Sequence, residues 1–82
     1  MAYEMELSDE ARRSLRSLPN EVRREIGFQL DRLQRSFGGD VKKLRGGKNE
    51  YRLRVGNYRV LFELEHNRIV VYAVGPRKDM YR

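Results

Sequence analysis

The chain has 82 residues, a formal net charge of +6, one histidine and no cysteine. A chain of this length is near the lower size at which one hydrophobic core holds a fold without staples, so we expect a single domain over residues 1–82. The lack of cysteine excludes a disulfide framework and thiol chemistry. With no signal-peptide pattern and no apolar run of about 20 residues, the sequence predicts a cytoplasmic protein that does not enter a membrane.

The positive charge is confined to the second half of the chain. Residues 1–41 hold seven arginines against eight acidic residues, a net charge of −1. Residues 42–82 hold eleven lysines and arginines against four acidic residues, a net charge of +7. Such an excess in one half of a small domain is typical of proteins that bind nucleic acid or another polyanion.

The first half predicts a short strand followed by two helices. Alternation over Tyr3–Leu7 is typical of a strand, and Ser8 has the side chain of a helix N-cap. Apolar residues then recur at helical spacing. Pro19 separates a first helix from a second over about 20–36, because proline tolerates only the first helical turn. We therefore expect an antiparallel helical hairpin.

The second half predicts a loop followed by three strands. The loop covers Asp40–Glu50 and is broken by Gly46-Gly47. Period-2 alternation then predicts strands at about 50–55, 58–64 and 68–74. Gly56-Asn57 joins the first two and suits a two-residue type II′ turn, and His66-Asn67 joins the second to the third.

The hairpin register divides the predicted sheet into two faces. Leu53 pairs with Val60, and Val60 with Ala73, on the face that packs against the helices. The opposite face is expected to hold Arg52, Arg54, Arg59, Leu61, Glu63, Val70, Tyr72 and Val74. The order βααβββ, with an N-terminal strand and a helical hairpin on one face of a mainly antiparallel sheet, predicts an α+β two-layer domain.

The arginines of that opposite face point to function. In the predicted register Arg54 lies directly across from Arg59, with Arg52 two residues along the same strand. Like charges opposed across a hairpin destabilise it, so the fold gains nothing from this arrangement. An anionic ligand would supply the reason, because arginine binds phosphate through two parallel hydrogen bonds and also stacks on bases.

The sequence gives no support to metal or cofactor chemistry. The single histidine, His66, falls in a predicted turn, and a zinc site without cysteine or a second histidine is not expected. The carboxylates Glu63, Glu65 and Asp79 are scattered, which argues against a divalent-metal nuclease centre. Metal-free RNA cleavage needs little more than an arginine cluster and a tyrosine, since the ribose 2′-hydroxyl is the nucleophile and the protein aligns it and neutralises the developing charge.

Three segments carry a resemblance to a known family. They are K-L-R-G at Lys43–Gly46, Y-R-L-R-V-G-N-Y-R-V-L-F at Tyr51–Phe62 and V-G-P-R-K-D-M-Y-R at Val74–Arg82. With these motifs the chain resembles the RelE family of bacterial and archaeal type II toxins, within the RelE/ParE superfamily. The resemblance implies a ribosome-dependent endoribonuclease that cuts mRNA in the ribosomal A site, leaving 2′,3′-cyclic phosphate and 5′-hydroxyl ends. It also implies a RelB-like antitoxin as partner.

The resemblance further implies roles for individual residues. The catalytic set is Arg52, Arg54, Arg59, Arg77 and Tyr81. Arg54 and Arg59 would bind the phosphate and stabilise the transition state, and Arg77 would stabilise or protonate the leaving oxygen. Tyr81 would stack on or orient the substrate. Contacts with RNA or the ribosome are expected from Lys42, Lys43, Arg45, Lys48, Lys78 and Arg82.

Two departures from the family pattern leave the general base unassigned. Arg52 and Arg54 stand where some members have lysine, and arginine stays protonated in proteins. Pro76 stands where many members have a histidine, the natural acid–base group.

Two other functions stay open, a ParE-like gyrase-inhibiting toxin and a non-catalytic RNA- or ribosome-binding module. Single substitutions separate them from the enzyme. In an enzyme, Arg59→Ala or Arg77→Ala should abolish cleavage while sparing the fold and antitoxin binding. In a module that only binds, each substitution should lower the affinity for RNA or the ribosome by a modest step, and that affinity should depend steeply on salt.

Overall fold

The computed structural model describes residues 2–80 and has two layers, a five-stranded sheet and two helices packed on one of its faces. The elements are β1 (Glu4–Leu7), α1 (Asp9–Arg16), α2 (Asn20–Ser36), β2 (Asp40–Lys43), β3 (Glu50–Val55), β4 (Tyr58–Glu65), β5 (Arg68–Pro76) and α3 (Arg77–Met80). The sheet order is β1-β5-β4-β3-β2, with β1 parallel to β5 and the other neighbours antiparallel. The predicted α+β class with a mainly antiparallel sheet is confirmed.

The helical hairpin forms where the local signals place it. Ser8 caps α1, and its Oγ accepts a hydrogen bond from the Ala11 backbone N at 3.0 Å. Pro19 directly precedes α2, which ends at Ser36 with Phe37 in a left-handed conformation. Within residues 2–80, no helix is both long and apolar enough to cross a membrane.

The core lies between the two helices and the inner face of the sheet. From the helices, Ala11, Ile26 and Leu33 are fully buried. From the sheet, the fully buried side chains are Leu53, Val60, Phe62, Ile69 and Val71. Each large apolar side chain buried in this way contributes about 1.5–3 kcal/mol to folding. This face is therefore committed to stability, which leaves the other face of the sheet for function.

The prediction of a loop over Asp40–Glu50 is wrong in part. Its first four residues form β2, an edge strand paired with β3, and only residues 44–49 connect the two strands. The strand has one apolar residue, Val41, so it is too short and too charged to show alternation. Short, lysine-bearing strands are typical of sheet edges, where they discourage pairing with another chain. The sheet consequently has five strands rather than the four predicted.

A β-bulge corrects the predicted register of β5. Phe62 pairs with Val71 as expected, but Leu61 pairs with Ala73, so that Tyr72 is the extra residue. Val60 therefore pairs with Val74 and not with Ala73. One inserted residue reverses the direction of every side chain beyond it. Val74 is accordingly buried in the core, whereas the prediction placed it on the opposite face.

Candidate functional site

The candidate site lies on the outer face, the sheet surface turned away from α1 and α2. At the end of the sheet near the Gly56-Asn57 turn, one row of paired residues across the strands consists of Asp40, Arg54, Arg59 and Gly75. The next row consists of Lys42, Arg52, Leu61 and Ala73. We call Lys42, Arg52, Arg54 and Arg59 together the basic end of the outer face. Four cationic side chains from three adjacent strands thus share one small area.

The β3–β4 turn sets the register of this end. Gly56 has a φ of 59°, a left-handed conformation that glycine adopts without steric cost and that the first central position of a type II′ turn requires. The turn pairs Val55 with Tyr58 and Arg54 with Arg59, which confirms the predicted hairpin register.

Arg52 and Arg54 converge on a single carboxylate. The Nη1 atom of Arg52 lies 3.7 Å from Oδ1 of Asp40, and the Nε atom of Arg54 lies 3.6 Å from Oδ2 of the same residue. The Arg54 and Asp40 side chains are 58% and 55% exposed, whereas that of Arg52 is 14% exposed. The two guanidinium groups therefore meet at one anionic position that is open to solvent. Asp40 was not singled out from the sequence, because it fell in a predicted loop.

Arg59 lies on the predicted face but has a structural task as well. The residue is only 7% exposed, and its Nη1 donates to the backbone carbonyl oxygens of Gly56 at 2.9 Å and Tyr58 at 2.8 Å. These charge-assisted hydrogen bonds hold the turn closed. Gly75 lies opposite Arg59, and a Cβ placed on it would lie 3.2 Å from Sδ of Met80, so α3 passes close over this strand.

Arg77 and Lys78 lie at the same end of the sheet. They begin α3, are exposed, and with Asn57 and Pro76 line an open depression of about 610 Å³. The backbone N of Arg77 donates to the Asn57 carbonyl oxygen at 2.8 Å, which fixes α3 against the β3–β4 turn. Two further predicted site residues, Tyr81 and Arg82, lie outside the described residues.

The predicted RNA-contacting residues before β3 are all exposed but are not all brought together. Lys42 lies beside Arg52 on the outer face. Lys43 is the next residue of the strand, so it faces the other way. Arg45 and Lys48 belong to the connection that leads into Glu50. That end of β3 is about 13 Å from Arg54, at about 3.3 Å per strand residue.

The opposite end of the outer face is acidic, which the sequence did not predict. We call this the acidic end, and its members are Glu4, Glu6, Glu50, Glu63 and Glu65. Arg68 lies among them, with Nη1 3.0 Å from Oε1 of Glu6 and Nη2 3.1 Å from Oε1 of Glu65. The hydrogen bond to Glu65 and the charge of Glu6 raise the pKa of the Arg68 guanidinium.

Tyr72, the bulge residue, is tied into the acidic end. Its hydroxyl donates to Oε1 of Glu50 at 3.0 Å. Burial, this hydrogen bond and the charges of Glu50 and Glu63 raise the pKa of Tyr72 to about 12. The hydroxyl therefore stays protonated at neutral pH and acts as a donor.

The described residues offer little else for acid–base or metal chemistry. His66 is exposed in the β4–β5 turn with a φ of 57°, at the far end of β4 from Arg59. Among residues 2–80, no three histidine, aspartate or glutamate side chains are grouped as a metal site would require.

Comparison with known proteins agrees with this fold. Residues 5–81 match the family model of the ParE toxin of the type II toxin–antitoxin system parDE. The toxin RelE3 of Methanocaldococcus jannaschii is 34% identical over 74 residues, which cover 84% of each protein. A chain of the RelB–RelE antitoxin–toxin complex from Methanococcus jannaschii has a TM-score of 0.80 at 29% identity, covering 93% of this chain and 94% of that chain.

A similar relationship holds for a bacterial complex. A chain of the toxin–antitoxin complex RelBE2 from Mycobacterium tuberculosis has a TM-score of 0.80 at 27% identity, and the match covers 94% of this chain and 100% of that chain. The family model spans nearly the whole chain, and the RelE3 toxin is related above 30% identity over most of both proteins. The chain therefore belongs to the RelE family of type II toxins, within the RelE/ParE superfamily.

Proposed function

We propose that this toxin is a ribosome-dependent, metal-free endoribonuclease that cleaves mRNA in the ribosomal A site and so inhibits translation in the cytoplasm. The observation that carries the proposal is the convergence of Arg52 and Arg54 on one solvent-open anionic position. Membership of the RelE family supports it. In the proposed reaction the ribose 2′-hydroxyl attacks the adjacent phosphate, and the products carry 2′,3′-cyclic phosphate and 5′-hydroxyl ends.

The basic end supplies the charge stabilisation that this reaction requires. Negative charge develops on the phosphorane, and fixed donors aimed at that charge lower the barrier. Arg52 and Arg54 hold the scissile phosphate beside the Asp40 carboxylate, through N–H donors that the carboxylate does not use. Arg59 keeps the turn closed through Nη1 and adds its positive charge to the row of paired residues that contains Arg54.

The C-terminal segment completes the proposed site. Arg77 lies at the end of the sheet where the basic end is located, and it stabilises or protonates the leaving 5′-oxygen. Tyr81 stacks on the substrate or orients it. Binding to RNA and the ribosome is assigned to the exposed cations Lys42, Lys43, Arg45, Lys48 and Lys78, and to Arg82.

The proposed partner in the cell is a RelB-like antitoxin. Related chains of known structure are in complexes named RelB–RelE from Methanococcus jannaschii and RelE–RelB from Pyrococcus horikoshii. The net charge of +7 in residues 42–82 favours an acidic antitoxin segment that covers the basic end. Such a segment would block access of RNA to Arg54.

A second candidate function is inhibition of gyrase. The matching family model is that of the ParE toxin, and such a toxin needs no RNA-cleaving residues. Binding to RNA or the ribosome without cleavage is a third, favoured by the arginines at positions where a general base is expected.

Primer extension on a defined mRNA in a translation reaction, with and without ribosomes, tests the proposal. Discrete cuts that need ribosomes and disappear in Arg54→Ala support it. Arg35→Ala is the matched control, because Arg35 is an exposed arginine paired with Asp31 on α2, in the helical layer and not on the outer face of the sheet. Intact mRNA contradicts the proposal. A gyrase supercoiling assay with the same protein then tests the second function.

A further inference from the structure

The proposed reaction requires a proton acceptor for the 2′-hydroxyl. The guanidinium groups of the basic end stay protonated and cannot serve. Pro76 has no titratable side chain. His66 follows β4 and is seven residues from Arg59, about 23 Å at about 3.3 Å per strand residue.

A lysine must lose its own proton before it can accept another, whereas an ionised carboxylate accepts one directly. The carboxylates differ in their partners and in their positions. At the acidic end, Glu6 and Glu65 are bound to Arg68, and Glu50 accepts from Tyr72. Asp79 is exposed on α3 and forms no ion pair with another described residue. Among the carboxylates of residues 2–80, only that of Asp40 lies within 4 Å of arginines of the basic end.

The spacing of Asp40 from its arginines suits this task. Charge-assisted hydrogen bonds between guanidinium and carboxylate are about 2.7–2.9 Å long. The distances here are 3.7 Å to Arg52 and 3.6 Å to Arg54, so the N–H donors of both groups are not consumed by the carboxylate. A phosphate can bind to the two guanidinium groups while Asp40 stays beside it. The carboxylate is 55% exposed, so a hydroxyl can approach it.

We propose that Asp40 accepts the proton of the attacking 2′-hydroxyl, an inference that rests on the proposed RNA cleavage. When Arg52 and Arg54 hold the scissile phosphate, the attacking 2′-oxygen of the adjacent ribose is about 3–3.5 Å from phosphorus. That oxygen is within reach of a carboxylate that lies 3.7 Å from Arg52 and 3.6 Å from Arg54. The bond from the 2′-oxygen to phosphorus forms, and the bond from phosphorus to the 5′-oxygen breaks. The 2′-hydroxyl proton moves to Asp40, and the 5′-oxygen takes a proton from solvent beside Arg77. The Asp40 carboxylic acid then releases its proton to solvent.

A purely structural role for Asp40, in which its charge only orients the arginines, predicts a different result. Loss of orientation weakens substrate binding, whereas loss of a proton acceptor slows the chemical step. Asp40→Asn keeps the size of the side chain and removes the acceptor. Asp40→Glu restores a carboxylate. Asp31→Asn is the matched control, because Asp31 is also an exposed aspartate paired with an arginine, 3.0 Å from Arg35.

The experiment measures two quantities for each variant. The first is the single-turnover rate of A-site cleavage on ribosomes. The second is the affinity for ribosomes carrying an mRNA with a 2′-deoxynucleotide at the cut position, which cannot react. For Asp40→Asn we expect a rate lower by about 10²–10⁴-fold, with affinity unchanged or tighter. Asp40→Glu should recover part of the rate, and Asp31→Asn should match the wild type.

Two results would overturn the assignment while leaving the proposed function intact. One is an Asp40→Asn rate within about threefold of wild type, too small for a lost general base. The other is a fall in affinity that accounts for the whole fall in rate. If Asp40→Asn does not fold, as judged by its circular dichroism spectrum, Asp40→Ser takes its place. A wild-type protein that cleaves no mRNA on ribosomes removes the proposed function, and the general base with it.

Discussion

The two ends of the outer face carry charges of opposite sign and use them differently. At the acidic end, three of the five carboxylates have a close partner: Glu6 and Glu65 contact Arg68, and Glu50 accepts a hydrogen bond from Tyr72. At the basic end, Arg52 and Arg54 share one carboxylate at distances beyond a hydrogen bond. The comparison teaches that charge alone does not identify a binding site. A binding site is identified by hydrogen-bond donors that the fold leaves free, because a ligand can still use them.

The largest effect on cleavage should come from Arg54, whose side chain is more exposed than those of Arg52 and Arg68. In the proposed reaction Arg54 stabilises the developing charge, so we expect Arg54→Ala to lower cleavage by about 100- to 1000-fold. Stability should change by less than about 0.5 kcal/mol, because the side chain is mostly exposed. Cleavage assays on ribosomes and urea unfolding measure the two effects. An active Arg54→Ala protein would break the contrast between the two ends.

Arg59 belongs to the basic end, but its hydrogen bonds also stabilise the fold. Arg59→Ala removes two hydrogen bonds to the carbonyls of the β3–β4 turn, and we expect a loss of about 1.5–3 kcal/mol in unfolding free energy. The expectation from sequence, that this substitution spares the fold, should therefore fail. Urea unfolding of Arg59→Lys, which keeps the charge and can reach one carbonyl, should show a smaller loss. Equal stability of wild type and Arg59→Ala would mean that these bonds contribute nothing.

Tyr72 should matter for stability but not for cleavage. Tyr72→Phe removes the hydrogen bond to Glu50, and we expect a loss of about 0.5–1.5 kcal/mol at neutral pH. The raised pKa of Tyr72 makes its contribution to stability depend on pH. The folded protein holds the phenolic proton to about pH 12, whereas the unfolded chain releases it near 10.0.

The stabilisation linked to Tyr72 is therefore complete below pH 10 and is lost as the pH rises towards 12. Urea unfolding of both proteins between pH 8 and pH 12 measures it. The difference between wild type and Tyr72→Phe should shrink over that range. A difference that grows with pH would mean that the hydroxyl is not held as a donor.

The smallest effect should come from Arg68→Ala. Its partners Glu6 and Glu65 are exposed, and exposed ion pairs contribute little to stability. We expect a minor loss of thermal stability that high salt abolishes, and unchanged cleavage. A loss of cleavage comparable to that of Arg54→Ala would show that both ends of the face act on the substrate.

Local signals allowed much of this fold to be predicted. The Ser8 cap, the break at Pro19 and the Gly56-Asn57 turn each act within a few residues, and the structure confirms all three. The β2 strand was missed because its four residues carry one apolar side chain. The bulge at Tyr72 was missed because period-2 alternation does not reveal an inserted residue.

The candidate site was predictable only in outline. Alternation placed Arg52, Arg54 and Arg59 on one face, and the pairing of the strands agrees. The partnership of both β3 arginines with Asp40 depends on β2, and the burial of Arg59 depends on its hydrogen bonds to the turn. The two carboxylates that β1 adds to the acidic end, Glu4 and Glu6, depend on the parallel pairing of β1 with β5, a contact between distant parts of the chain. The catalytic roles, including that of Tyr81, stay predictions.

The central claim is that the basic end promotes attack by a ribose 2′-hydroxyl. The most direct test places a single 2′-deoxynucleotide at the mapped A-site cut in an otherwise unchanged mRNA, programmed on ribosomes with the wild-type toxin. The account predicts that cleavage at that site is lost while binding persists, and that the all-ribose mRNA yields a 2′,3′-cyclic phosphate end. Cleavage of the deoxy-substituted site at the normal rate would contradict it, since the nucleophile would then come from elsewhere.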